Sequence, residues 1–382
     1  MTIVTLLPES VRSDCASAGI DANGMGGVEA SSRPNSLPPT ISTSSISWQQ
    51  ELKRAVRDPA QLLRLLELPD SIANNRVANN WSLAEANEAA GEFGLFVPRP
   101  FLARMRKGDL DDPLLRQVLP LGAELASVPG FTADPVGDAK AMLSPGLLHK
   151  YRTRVLMVTT GACAVHCRYC FRRHFPYSNT PHSPDQWQRA IDAIAADESI
   201  QEVILSGGDP LTLVDSHLAE LARRLAAVPH LRRLRIHTRL PIMIPQRVTA
   251  ELIGWLRGTR LTPIVVIHAN HAAELGDDVA TALARLSDAG VPLLNQAVLL
   301  RGVNDSLAAL IELSERLVEL RVMPYYLHQL DRVAGAAHFE VSESVGLRLV
   351  EAMRKLLPGY AVPRYVREVA GGESKEEVAS SV

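Results

Sequence analysis

Lysine is scarce in this chain. Of 40 basic residues in 382, only Lys53, Lys107, Lys140, Lys150, Lys355 and Lys375 are lysines, so a mechanism needing a reactive amine has six candidates. Cysteine is scarcer, with four. That count, in a chain of this size, excludes a disulfide-stapled scaffold. No basic excess points to nucleic acid, since the net charge is −2, and any charged ligand must be read locally. No apolar run approaches the roughly 20 residues of a membrane-spanning helix. The N-terminus lacks a basic stretch followed by an apolar one, so no secretory signal is read and the cytoplasm is the expected location. What remains is an ordinary globular composition, 46% hydrophobic, with length enough to bury a large core in one or two domains.

Residues 1–45 are rich in Ser, Gly, Pro and Ala with little apolar periodicity, and read as a disordered leader or as a start assigned upstream of the folded chain. Residues 46–150 read as short helices broken by Asp58-Pro59, Pro98–Pro100 and Asp111-Asp112-Pro113. From 151 to 330 strand and helix patterns alternate. Six strand-like runs, Arg154–Thr160, Glu202–Ser206, Arg233–Thr238, Pro263–His268, Leu293–Leu300 and Met323–His328, are separated by helical stretches. That alternation predicts a parallel sheet with right-handed crossovers, and the count fits a partial (β/α)6 barrel better than a closed eight-stranded one. In such folds working residues lie at the carboxyl ends of the strands. Residues 331–382 form a C-terminal segment, with a helix over 342–357 and an alternating strand ending in Gly371-Gly372-Glu373-Ser374-Lys375.

The first strand runs into GACAVHCRYCF, residues 161–171, where Cys163, Cys167 and Cys170 are spaced C-x3-C-x2-C. Three thiolates on one loop can hold three irons of a four-iron cluster and leave the fourth iron open to a ligand. Zinc with His166 or His174 is the alternative. It is disfavoured because structural zinc sites usually pair two separated knuckles, and no second one exists. The loop resembles the signature of the radical S-adenosylmethionine (SAM) enzymes. One strand later, Ser206-Gly207-Gly208-Asp209 offers paired glycines for close backbone approach and N–H groups that could cradle a charged group. Further strand ends carry His237-Thr238-Arg239, His268-Ala269-Asn270 and Asn295-Gln296. A lysine presented from a Gly-Gly turn, Lys375, is a candidate Schiff-base lysine for pyridoxal phosphate (PLP).

MLSPGLLHKYRTR, the cysteine loop with FRRHFPY, SGGDPL, LRIHTRLP, LLNQAVLLRGVND, MPYYLHQLD, GAAHF and GGESK together resemble the lysine 2,3-aminomutase family over about residues 47–379. More narrowly they resemble its short bacterial branch, which makes (R)-β-lysine for modification of elongation factor P. The resemblance implies that Cys163, Cys167 and Cys170 ligate a [4Fe-4S] cluster and that Lys375 holds PLP. It implies that Lys150, Tyr151 and Arg154 contact the PLP phosphate. It matches Ser206, Gly207, Gly208 and Asp209 to the segment that binds the SAM amino group, while His237, Arg239, Asn270 and Gln296 are candidate cofactor-binding residues from their place at the strand ends. Arg172 matches the arginine that pairs with the substrate carboxylate, a role its planar fork suits. Asp331 matches an acid that receives the distal ammonium of lysine, and Asn295 lies near where larger relatives place a second acid. The implied partners are free L-lysine, a reductant protein and a separate ligase that passes the product to elongation factor P. A homo-oligomer is compatible with all of this.

The chemistry joins these pieces. Moving an amino group between adjacent carbons has no easy polar route, because the β-hydrogen is not acidic. A carbon radical at that position opens a route if a PLP-bound nitrogen shares the spin. Rival readings are the same chemistry on glutamate or arginine, a radical SAM enzyme without PLP, and a non-catalytic zinc or redox scaffold. Asp331 favours a cationic side chain over glutamate.

Overall fold

Apolar, β-branched runs set the frame. The computed structural model describes residues 46–68, 82–181 and 183–379. Ten strands form one sheet in sequence order: β1 (Met142–Ser144), β2 (Leu147–Tyr151), β3 (Arg154–Thr160), β4 (Glu202–Gly207), β5 (Arg233–Thr238), β6 (Thr262–Ile267), β7 (Leu293–Val298), β8 (Met323–His328), β9 (Arg364–Arg367) and β10 (Glu376–Glu377). Neighbours from β3 to β9 are parallel. The six expected strands are β3 to β8, and β9 extends the parallel run by one. The antiparallel hairpin of β1 and β2 edges β3, and β10 folds back antiparallel on β9. Strands covered by helices read as near-continuous apolar runs. Accordingly Val203, Ile204 and Leu205 on β4 are all buried.

The crossover helices are amphipathic. In Asp215–Ala226 the buried Leu218, Leu221, Ala222 and Leu225 recur at i, i+3, i+4 and i+7, which lays one stripe on the sheet. Burying such leucines stabilises the fold, and truncating one to alanine costs about 2–5 kcal/mol. Helix starts are capped as the sequence demands: Thr249 accepts from Leu252 N–H, and Ser306 from Ala309 N–H.

Ahead of the sheet, short helices Trp48–Lys53, Pro59–Leu65 and Leu83–Glu92 pack their apolar faces into the same core. Residues 142–150, grouped by sequence with the helical region, form with Tyr151 the β1–β2 hairpin and belong to the sheet. The leader over 1–45, with Cys15, lies outside the described residues. No described helix is long and apolar enough to cross a membrane.

Candidate active site

The carboxyl ends of the strands surround a cavity of about 670 Å³. All three cysteines line it, and so does Lys375. Lys150, Tyr151, Arg154, Arg172, Ser206, Gly207, Gly208, Asp209, His237, Arg239, Gln296 and Asp331 also reach its wall. Asn270 and Asn295 do not line it. The Asn295 amide closes on the backbone of Ala269, accepting from its N–H at 2.8 Å and donating to its carbonyl at 3.0 Å. Asn270 donates to Tyr169 and Gln117 and accepts the N–H of Val298. Both are buried amides satisfied by their surroundings, so they brace strand ends.

The cysteine loop is clamped from two sides. On one, Arg168 is fully buried and donates to both oxygens of Glu124, at 2.8 and 2.6 Å, while Arg173 adds a third contact at 2.8 Å. The Arg168 backbone N–H also donates to the Gln117 carbonyl. On the other, Gly208 N–H donates to the Thr160 carbonyl and Asp209 N–H to that of Ala162. A Cβ on Gly208 would lie 2.3 Å from the Ala162 oxygen. The glycine pair therefore serves the cysteine loop: the N–H groups of Gly208 and Asp209 are spent on it, and the anion cradle expected from the sequence is not built from them. The Asp209 carboxylate is occupied too, accepting from the Thr238 hydroxyl and the N–H groups of Leu211, Arg239 and Leu240. It locks the β4 and β5 ends together.

Burial and mutual proximity push the Cys163 thiol well above its ordinary value and that of Cys170 up to about 11. Such thiols ionise at a cost that a bound cation offsets. The residues that a zinc site would recruit are engaged elsewhere. His166 Nδ1 contacts the Gly94 carbonyl at 2.7 Å, and His174 Nε2 that of Ala334 at 3.0 Å. Among the described residues no three Cys, His, Asp or Glu side chains converge on one metal-ion position. A mononuclear zinc site needs such convergence, whereas an iron cube takes its sulfurs at separate corners.

Across the cavity stands a chain of charges in which Lys375, Tyr151, Lys150 and Arg172 were expected from the sequence and Glu368 and Asp138 were not. Lys375 Nζ donates to Glu368 Oε2 at 2.5 Å, and the Tyr151 hydroxyl to Glu368 Oε1 at 2.7 Å. Lys150 bridges onward, 2.7 Å from Asp138 Oδ1 and 3.7 Å from Glu368. Asp138 also pairs with Arg172, whose Nε is 2.7 Å away. Burial opposes ionisation of Glu368, but Lys375, Tyr151 and Lys150 outweigh it and hold the carboxyl below its ordinary range. Arg172 and Lys150 do the same for Asp138, against the same burial. Glu368 is revealed by the strand register. The hairpin pairs Glu376 with Arg367 and Glu377 with Val366, and continuing that register sets Lys375 opposite Glu368. Asp138 sits in a loop with no periodicity to mark it.

The ceiling of the cavity holds neutral imidazoles. Burial drives His237 and His328 well below their ordinary value and His268 to about 3, with Arg239 and Lys375 adding to the effect on His268. The Nε2 atoms of His237 and His268 are buried with no partner among the described residues. Buried polar atoms without partners are rare, and here they suit a polar ligand. Arg154 is stacked 4.3 Å over the Tyr151 ring and makes no ion pair among the described residues, which leaves its guanidinium for an anion. Burial raises Asp331 to about 7, with Glu368 adding to the rise and Lys375 opposing it.

Comparison with known proteins fits this geometry. Residues 157–253, from β3 through the cysteine loop to the helix after β5, match the Radical SAM superfamily. The L-lysine 2,3-aminomutase of Haemophilus influenzae is 45% identical over 329 residues, 86% of this chain and 94% of that protein. The Escherichia coli K12 enzyme of the same name is 45% identical over 337 residues, 88% of this chain and 96% of its own. That of Clostridium subterminale is 37% identical over 280 residues, 73% of this chain and 67% of its own. An identity this high, sustained along nearly the full length of the first two relatives and not confined to the cysteine loop, shows that the chain belongs to the L-lysine 2,3-aminomutase family of radical SAM isomerases.

Proposed function

We propose that this isomerase converts L-lysine to (R)-β-lysine, and that the product is consumed by a ligase modifying elongation factor P. The observation that carries the reading is that Lys375, from the far end of the chain, opens onto the cavity lined by Cys163, Cys167 and Cys170. The enzyme's cofactors are a [4Fe-4S] cluster, SAM and PLP. Together these would supply a carbon radical that removes the substrate β-hydrogen and an electron sink that carries the migrating nitrogen.

The assignment of residues to these groups is ours. Cys163, Cys167 and Cys170 hold the cluster, and the clamped loop fixes their spacing. Lys375 holds PLP, with Glu368 orienting its amine and taking its charge. Arg154 meets the phosphate, aided by Lys150 and Tyr151. His237 and His268 offer unprotonated nitrogens to polar cofactor atoms. Arg172 is held at Nε by Asp138, its Nη1 donates to the Ser206 hydroxyl at 3.3 Å, and its guanidinium lines the cavity, where it would offer the substrate carboxylate a charged contact. Asp331 receives the distal ammonium, which draws its carboxyl into the ionised form. Seclusion at the strand ends excludes water from the reacting centre. Asn270 and Asn295 are left out of this site.

The test is anaerobic reconstitution with iron, sulfide, PLP and SAM, followed by chiral analysis of products from lysine, arginine and glutamate. (R)-β-Lysine is expected from lysine. Conversion of glutamate but not lysine would reject the substrate. For the downstream step, deleting the gene should remove the β-lysyl mass from elongation factor P in its host, and an unchanged mass would reject that branch.

A further inference from the structure

One of the three cysteines is treated differently from the other two. Arg239 is buried, and its Nη1 donates to Cys167 Sγ at 2.8 Å and to the Tyr169 hydroxyl at 2.7 Å. Its Nη2 donates to Glu274 Oε2 at 2.6 Å and to Gln117 Oε1 at 3.1 Å. Glu274 is fully buried, and its other oxygen accepts from Gln117 Nε2 and the N–H groups of Asn270 and His271. By contrast, Cys170 meets only the backbone N–H of Arg172. No hydrogen-bond donor reaches Cys163 among the described residues. One sulfur therefore touches a formal positive charge, and a buried carboxylate backs that charge directly.

Two other charges lie nearby, and one is the buried Asp209 carboxylate, which acts on Cys163 and is held by the Thr238 hydroxyl and backbone N–H groups. Arg104 faces Glu274 but is paired with Asp278 at 3.0 Å, and His268 is neutral. A buried ion pair is weak evidence for stability, because desolvation consumes most of its attraction. Its placement against a cluster-binding sulfur has a clearer consequence. Reduction adds one negative charge to the cluster. A cation hydrogen-bonded to a ligating sulfur favours that state, and a carboxylate behind the cation opposes it.

We propose that Arg239 and Glu274 form an opposed pair of positioning residues that sets, through the Cys167 sulfur, the potential at which the cluster accepts its electron. The inference rests on reading the cysteine loop as a [4Fe-4S] site. The two residues push in opposite directions, so their removal has opposite signs, which a merely structural role does not produce.

The experiment is a redox titration of the reconstituted full chain, followed by electron paramagnetic resonance with iron content measured in parallel. Arg239→Gln is expected to lower the midpoint potential and Glu274→Gln to raise it. Each shift should be at least tenfold in the reduction equilibrium, about 59 mV for one electron. Arg239→Lys, which keeps the charge, should return towards the wild type. If Arg239→Gln fails to retain iron, Gln117→Glu places a negative charge in the same network and should lower the potential instead. Shifts of the same sign, or an unchanged potential in iron-replete variants, overturn the proposal. A wild type holding a four-iron cluster with an insensitive potential sinks this inference alone; one holding no such cluster sinks the functional reading with it.

Discussion

The two ends of the cavity are built on opposite principles. The cysteine end is contiguous in sequence and immobilised by buried ion pairs: Arg168 and Arg173 on Glu124, and Arg239 on Glu274. The lysine end is assembled from residues 138, 150, 151, 172, 331, 368 and 375, and its charges form an open relay with an acid, Asp331, poised near neutrality. A cluster needs fixed ligands, because its task is electron transfer at constant geometry. A lysine that must exchange partners needs neighbours able to trade protons and charge.

Breaking either end should leave the other standing. The largest effect is expected from Cys167→Ser, which should reduce activity to background and deplete iron while PLP loading survives. Lys375→Ala should abolish activity equally and remove the borohydride-fixable PLP absorbance, with iron retained. Loss of iron in Lys375→Ala would mean that the ends are not separable.

Gly208→Ala sharpens the contrast. The added methyl meets the Ala162 carbonyl, and such overpacking costs about 1–3 kcal/mol, so the thermal midpoint and iron occupancy should fall together. The same substitution at Gly371, where a Cβ meets nothing but the positive φ disfavours a side chain, should lower the thermal midpoint while leaving iron content unchanged.

The smallest effect concerns pH. The carboxyl of Asp331 is raised by burial to about 7, so ionising it costs stability as pH climbs from its ordinary range to that value, and no further above it. A cationic ligand prefers the ionised form. The KM for lysine should therefore fall several-fold as pH rises through about 7. Asp331→Asn should flatten that slope; an unchanged slope would remove Asp331 from the ligand's distal end.

The same contrast explains what could be read in advance. The cysteines announce themselves by spacing after an apolar run, and the six barrel strands by their alternation with amphipathic helices. Lys375 stands out because lysine is rare here and follows a Gly-Gly turn. Glu368 and Asp138 carry no such mark, since an ion-pair relay is defined by tertiary proximity and not by local pattern. Gly207 and Gly208 were visible as special, but their beneficiary was not: only the packing of two loops reveals that the N–H groups of Gly208 and Asp209 serve Thr160 and Ala162. Asn295, a polar residue in an apolar strand, looked like a ligand and is a backbone brace.

That interlock has a practical corollary for anyone transplanting this motif. The triple-cysteine turn and the glycine doublet one strand away are a single machined part, mated at a backbone spacing that no side chain fits. Grafting the turn alone onto a designed scaffold would deliver the sulfurs without the seat that aims them, so the unit to move is β3, its turn and the end of β4 together.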